Sequence, residues 1–583
     1  MKRKIDVIIK SVEKVIENSN KKQKIRATDL KNFMIKDPLV DFLKLKNPIQ
    51  KSINNFSSFI MKKGCDFENE LIKYININKH PVVSINSNEQ SETIKLMKQG
   101  IPIIHSAPLK NRYNNTGGTA DLLVRSDYLH KIVNESPLTE EEQKIESPKL
   151  GFPFHYVVID IKFTTIPFKS DGRHILNSGM FPAYKAQTLI YNDALSYIQG
   201  YKPRYSYILG RRWKCNNKNG NSSSFDCLDK LGVIDYQGVD NSYILKTKSA
   251  ISWVKDVNKN FNKWTTDNIN LYPNMCVNSN EYNQEKAIIA DNIGDITTLW
   301  FCGPKNREIA LKNGISSWRD KRCNSKKLGI KGNRARILNS IIKINQQDRI
   351  KILPKVIKNN IDDWKTPLLG KEAYIDFETI SDIFAPFSEL PNQKNTDMIF
   401  MIGVGWESPS DGWKYKKFIC NKADLQEEFR IMNEFMTFIQ NFEKKFFWCA
   451  ERRFWDVAER RQFDRLSNVA RDSEQSDMIS DQWKLNLDNW IDICNIFKSE
   501  PIVIKDCFNF GLKNIANAMY KHKLISTKLD SECSNGLIAS VNAWNVYQEH
   551  PDPINSEIMK DIIKYNEFDC KVLWDIIKYL RTK

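Results

Sequence analysis

Tyr156-Val157-Val158-Ile159-Asp160-Ile161-Lys162 limits what this chain can become more than any other stretch. An apolar and aromatic run of this length reads as a buried strand, and the two-residue side-chain period puts Asp160 and Lys162 on the same face. A carboxylate and an ammonium therefore share one edge of a buried sheet. In Gly118-Thr119-Ala120-Asp121-Leu122-Leu123-Val124, Asp121 opens an apolar strand after a glycine pair, and a hairpin between the two strands brings Asp121 beside Asp160. Two carboxylates so placed can hold a divalent cation through their oxygens. A cation beside a lysine can orient and deprotonate a water.

Two more stretches join these. Gly64-Cys65-Asp66-Phe67-Glu68 lies ahead of them, and Gln187 and Tyr191 follow, four residues apart and so on one helical face with Tyr184. A lone DxK strand reads as a solvated edge or an ion pair, and the Tyr184-Gln187-Tyr191 stripe alone as ordinary packing. Taken in order, GxxFE, GxxD, DxK and QxxxY resemble the PD-(D/E)XK nuclease superfamily in its RecB-like branch. The resemblance implies that Asp121 and Asp160 bind Mg²⁺ or Mn²⁺. It also implies that Lys162 positions the water or stabilises the pentavalent phosphate, that Glu68 supports the site from the first helix, and that Gln187 and Tyr191 pack beside the centre and contact substrate.

At 583 residues the chain exceeds one core, and 41% hydrophobic residues suffice for several packed units. No apolar run is long enough to span a membrane and no secretory leader follows Met1-Lys2-Arg3-Lys4, so the reading is intracellular and soluble, with no membrane partner. A net charge of +18 implies affinity for polyanions. The twelve cysteines form no CxxC pair, which excludes a zinc ribbon and a small disulfide framework. Some RecB-like nucleases carry an iron-sulfur cluster; Cys215, Cys276, Cys302 and Cys323 are the pool for one here, and their irregular spacing favours buried thiols.

The expected class is α/β: a restriction-endonuclease-like nuclease core, a helical connector, then an RNase H-like α/β domain. Residues 1–55 read as a basic helical segment, with helical spacing at Ile5, Ile8, Ile9, Val12 and Val15 and a helix restart at Asp37-Pro38. This segment is either a DNA-facing arm or a brace. The nuclease domain spans 56–249, with 126–155 as a loop insertion between its metal-binding strands. Gly210-Arg211-Arg212-Trp213-Lys214 reads either as a phosphate-holding, base-stacking cluster or as a solvated strand end. Asn216 to Ser224 reads as a flexible loop. Residues 250–369 form the connector, anchored by Trp253, Trp264, Trp300 and Trp318. Its Ala310 to Ile315 and Leu328 to Gly332 resemble helix-hairpin-helix elements whose amides can bind phosphate, or are simple helix C-caps.

Residues 370–583 hold a second carboxylate constellation. Ala373-Tyr374-Ile375-Asp376-Phe377-Glu378-Thr379 is an apolar strand with Asp376 and Glu378 on one face, and Met398 to Trp406 reads as its hairpin partner. Paired carboxylates repel unless a cation lies between them. Tyr565-Asn566-Glu567-Phe568-Asp569 opens a helix, with Tyr565 and Asp569 one turn apart. DxE and YxxxD resemble the tyrosine-bearing DEDD 3′-5′ exonuclease branch of the RNase H-like fold, which implies a two-metal centre at Asp376, Glu378 and Asp569 with Tyr565 orienting the water. The family's middle aspartate is missing from Phe446 to Asp456; Glu451 is the substitute and Asp456 the reserve.

A RecB-like nuclease followed by a DEDD-type domain resembles a group of predicted RecB-family nucleases. The implied function is metal-dependent hydrolysis of DNA phosphodiesters in repair, recombination or replication. No GxxxxGK[ST] phosphate loop occurs, so any helicase would be a separate partner. An RNA-processing exonuclease and a catalytically decayed nucleic-acid scaffold are the rival readings.

Overall fold

A computed structural model describes residues 24–48, 55–78, 81–218, 220–266, 271–279, 282–358, 361–393, 397–449, 465–466, 490–528 and 536–583. The chain is mixed α/β and divides into two compact units, Met1–Lys286 with Pro386–Lys394, and Ala287–Ala385 with Asn395–Lys583. The helical spacing at Ile5 to Val15 lies outside the described residues. Among these residues no helix is long and apolar enough to cross a membrane.

The first unit is built on a mixed sheet ordered β2-β3-β4-β5-β6-β7, where β2 is Val83–Ser84, β3 Ile103–Asn111, β4 Thr116–Arg125, β5 Tyr156–Phe168, β6 Tyr205–Asn217 and β7 Gly220–Ser224. A short β1 (Ile25–Arg26) pairs with β4, and β8 (Gly232–Asp235) with β6. The β4–β5 hairpin is antiparallel, whereas β5 and β6 run parallel through the crossover helix α2 (Phe181–Gln199). Pro182 in the first turn of α2 and left-handed Gly200 at its end fix the bounds of that helix. Helix α1 (Asn55–Asn78) places Phe67, Leu71 and Ile75 in the core with Ile159, Ile161 and Tyr207.

Two expectations change in this unit. The described part of the basic N-terminal segment packs onto it as a brace would: Asp37 is buried against Lys286 at 2.6 Å and accepts the main-chain N–H of Asn274. Helix α3 (Ser242–Asn260) and the residues up to 286 also belong here, although they were expected in the connector. Residues 216–224 are no loop: β6 and β7 form an antiparallel hairpin pairing Trp213 with Ser224 and Asn217 with Gly220. The exposed β7 needs no apolar side chains. The 126–155 insertion holds short helical turns, one begun by a Thr139–Glu142 capping box.

The first part of the second unit includes α4 (Pro304–Lys312) and α5 (Asn333–Asn345). Its β9 (Ile352–Leu353) pairs with β15 (Val503–Ile504). The main sheet is ordered β12-β11-β10-β13-β14, from β10 (Glu372–Ile380), β11 (Met398–Ser408), β12 (Gly412–Ile419), β13 (Lys444–Phe447) and β14 (Trp490–Asp492). Met398 to Trp406 is therefore the antiparallel partner of β10. Central β10 alternates its side chains between two cores. Ile375 packs with Phe429, Met432 and Phe435 of α6 (Leu425–Ile439), and Tyr374 with Leu573, Ile576 and Leu580. Residues 287–369 share that second core through Trp318, Leu338, Ile341 and Trp364, so they are part of this unit and not a separate connector. Of the expected anchors Trp253 and Trp318 are buried and Trp264 and Trp300 half-buried, whereas Trp364, at 1% exposure, was not singled out.

The helices α7 (Leu512–Lys521), α8 (Gly536–Glu549) and α9 (Glu557–Arg581) complete the unit, with α8 and α9 both against β10. The YxxxD motif does not open α9. Ser556 caps the helix by accepting the Met559 N–H at 3.1 Å, so Tyr565 and Asp569 lie more than two turns inside it.

Candidate functional site

In the first unit, four stretches of sequence meet at β4 and β5. The Leu122–Ile159 pair of the hairpin brings Asp121 and Asp160 to neighbouring places on adjacent strands. The Ile161 main-chain N–H donates to Asp121 Oδ2 at 2.7 Å. Lys162 Nζ lies 2.6 Å from Asp160 Oδ2 and 3.6 Å from Asp121 Oδ2, so the ammonium touches both carboxylates. Burial, followed by the Asp160 charge, pushes the Asp121 carboxyl well above its ordinary range, and burial raises Asp160 as well. Burial opposes the charge on Lys162, but Asp160 and Asp121 outweigh it and hold the ammonium above its usual value. Such a set favours any added positive charge.

Helix α2 closes this site from above. Gln187 Nε2 donates to Tyr191 Oη at 3.0 Å and reaches Asp160 Oδ1 at 3.4 Å. A Cβ on Gly118 would lie 2.8 Å from Tyr191 Cε1, so the glycine of GxxD is there because the tyrosine of QxxxY covers it. The Tyr184 ring faces Lys162 Nζ at 5.4 Å. Glu68 Oε1 is 3.1 Å from His105 Nε2, and its charge raises both aspartates.

His105 was not anticipated. Its other ring nitrogen meets Ser84 Oγ at 2.9 Å, and Ser106 beside it adopts φ 53° in mid-strand, between the register pairs His105–Leu122 and Ala107–Ala120. A left-handed serine opposite Asp121 is strain held at a site. The signal was available, since His105 ends the apolar run Ile103-Ile104 much as Asp160 ends its own. In the basic cluster 210–214 three half-buried side chains have neighbours, while Lys214 is exposed: Trp213 Nε1 donates to Asp229 at 2.9 Å, Arg212 Nε to Thr165 Oγ1 at 2.9 Å, and Arg211 lies over the Phe163 ring.

In the second unit, ligand atoms of Asp376, Glu378 and Asp569 all lie within 4.8 Å of one another, and this buried acidic cluster can hold a metal ion. The strand order turns back at β10, the kind of place where open α/β sheets leave a crevice at strand ends. A β-bulge between Glu378 and Thr379 follows the pair directly. Burial, then the Asp569 charge, pushes the Glu378 carboxyl up to about 8. Burial also raises Asp569, while Lys513 and Tyr565 hydrogen-bond it and act in the opposite sense. Tyr565 is thus tied to the cluster through Asp569.

Two polar side chains that the motifs do not name hold these carboxylates. Asn566 Nδ2 donates to Asp376 Oδ2 at 2.9 Å and reaches Glu378 Oε1 at 3.4 Å, while Tyr415 Oη donates to Asn566 Oδ1 at 2.8 Å. Lys513 of α7 contacts Asp569, with its ammonium over the Tyr565 ring at 4.0 Å and the Phe568 ring at 4.5 Å. A Cβ on Gly403 would fall 1.7 Å from Asn566 Oδ1, so α9 reaches β11 only across a glycine. A glycine inside the apolar run Met401-Ile402-Gly403-Val404 signals such an approach.

Glu451 and Asp456 lie outside the described residues. Of the cysteine pool, Cys302 and Cys323 pack in the second unit's core, while Cys215 of the first unit donates to the Lys169 carbonyl and Cys276 is exposed.

No protein-family model matches the chain, and no curated protein matches its sequence.

Proposed function

We propose that the protein is a metal-dependent nuclease that hydrolyses phosphodiester bonds of nucleic acid. The observation that carries this reading is the meeting of Asp376 and Glu378 with Asp569, nearly two hundred residues further along the sequence, with ligand atoms within 4.8 Å of one another. Their all-oxygen donor set suits a hard cation, Mg²⁺ or Mn²⁺. The cation would supply charge stabilisation at the phosphate and a water of lowered pKa. The chain's own groups do the rest. Asn566 holds the Asp376 and Glu378 carboxylates in register, and Lys513 places a positive charge beside Asp569.

The first unit supports the same reading with a different set. Asp121 and Asp160 would hold a cation, and Lys162, displaced from them by it, would face the phosphate. Gln187 and Tyr191 would keep Asp160 in place and line the substrate's path. The resemblance of the four ordered motifs to RecB-like nucleases favours DNA over RNA, and repair, recombination or replication as the setting.

The test is hydrolysis of labelled single- and double-stranded DNA, and of RNA of the same sequence, with Mg²⁺ and with Mn²⁺. Asp160→Ala and Asp376→Ala are assayed separately. Loss of orders of magnitude in one variant assigns the chemistry to that unit. Equal background hydrolysis in wild type and both variants leaves a nucleic-acid-binding scaffold and overturns the enzyme.

A further inference from the structure

One stretch outside both carboxylate sites is strongly basic. Residues 304–343 contain twelve lysines and arginines and two acidic residues, a net +10 against +18 for the whole chain. They form a compact piece of the second unit. The turn at 325–330 is held between α4 and α5: the Asn306 side chain donates to the Leu328 carbonyl at 2.9 Å, and the Ser325 N–H donates to Asn339 Oδ1 at 2.8 Å. Gly329, at φ +73°, lets Ile309 approach so closely that a Cβ would sit 2.9 Å from its Cδ1. Ala310, Leu328, Ile337 and Leu338 are buried beneath.

Four of the cations are spent on neighbours. Arg307, Arg319 and Arg322 pair with Asp295, Asp291 and Asp320, and Arg336 donates to the Ser499 carbonyl. On the turn itself the situation differs. Lys326, Lys331 and Arg334 are exposed and Lys327 half-exposed, and none of the four has an acidic partner among the described residues. Arg334 lies across the Phe301 ring at 4.1 Å, which steadies the guanidinium. Nothing approaches the Gly332 Cβ position within 4 Å, so no side chain screens the surface between Lys331 and Arg334.

Four cations on a turn, without acidic partners and interleaved with the exposed Asn324 and Asn333, match a regularly charged polyanion with hydrogen-bonding oxygens. A membrane surface would call for several exposed apolar side chains beside the charges; between 324 and 334 no large hydrophobic side chain is exposed, and the neighbouring Ile309 is 38% exposed. We propose that the 326–334 turn is a docking surface for the sugar-phosphate backbone of nucleic acid, gripping it without reading sequence. The choice of nucleic acid rests on the nuclease reading; the phosphate chemistry rests on the turn alone.

The experiment is fluorescence anisotropy of labelled DNA with the full chain in EDTA, over a series of salt concentrations. The Lys326→Glu, Lys327→Glu, Lys331→Glu triple variant should lose at least ~10-fold in affinity, and the log–log salt slope should fall by about 3. The milder triple change to Gln should show the same fall in slope with a smaller loss of affinity. Wild-type affinity and slope in both triples overturn the surface. Wild-type binding to anionic phospholipid vesicles but not to DNA overturns the nucleic-acid assignment. Since EDTA removes hydrolysis from the readout, a chain that binds here yet never cuts counts against the nuclease reading alone. A chain that cuts while both triples bind like wild type counts against the surface alone.

Discussion

Gly403 decides how near α9 can come to β11. Its register partner is Asp376, and Asn566 Oδ1 fills the place a side chain would take. Gly403→Ala must push Asn566 off the two carboxylates it bridges, and overpacking of this kind costs about 1–3 kcal/mol. Urea unfolding should show that loss, and Mn²⁺ affinity should fall with it. If Gly403→Ala unfolds and binds Mn²⁺ as the wild type does, Asn566 is not confined as described. Gly118 under Tyr191 repeats the arrangement in the first unit. The motifs reveal which residues matter at these positions, but not that each glycine exists for a residue far along the chain, because only the packed helix supplies the clash.

At the scale of elements, α9 carries the most. It brings Tyr565, Asn566 and Asp569 to the sheet on one face and buries Leu573, Ile576 and Leu580. Ser556 starts it, and removing that oxygen leaves an N–H without its cap. Ser556→Ala should cost about 1 kcal/mol in urea unfolding, with Ser556→Asp near wild type; equal loss in both would show that packing and not the cap is at fault. The strand elements were largely legible, because β5, β10 and β11 are apolar runs rich in β-branched and aromatic residues. The start of α9 was misread, since the motif drew the boundary to Tyr565 although Ser556-Glu557 is an ordinary start signal. The β6–β7 hairpin was misread too, because a polar strand that buries nothing carries no hydrophobic period.

For the whole molecule, pH and divalent cations act through the same buried carboxylates. Folded Glu378 keeps its proton to about pH 8, whereas its ordinary value is 4.5. Between those values the folded chain binds more protons than the unfolded one, so metal-free stability falls as pH rises through the window. The unfolding temperature in EDTA should therefore drop from about pH 5 to pH 8, and Glu378→Gln should flatten the drop. Added Mg²⁺ or Mn²⁺ should raise the unfolding temperature, more strongly at the upper end where the carboxylates ionise. A pH-independent transition that no cation moves would remove the cluster from consideration as a metal centre. The sequence by itself determined the α/β class and the strands that end in carboxylates, because strand period and local polarity are properties of neighbouring residues. It also singled out Asp121, Asp160, Lys162, Asp376, Glu378 and Asp569. Only the tertiary structure decided that residues 287–369 share a core with α9, that His105, Lys513 and Asn566 attend the carboxylates, and that Lys326, Lys327, Lys331 and Arg334 stand on one turn without an acidic partner among the described residues. Those facts depend on which distant surfaces exclude water together, and no local pattern encodes that choice.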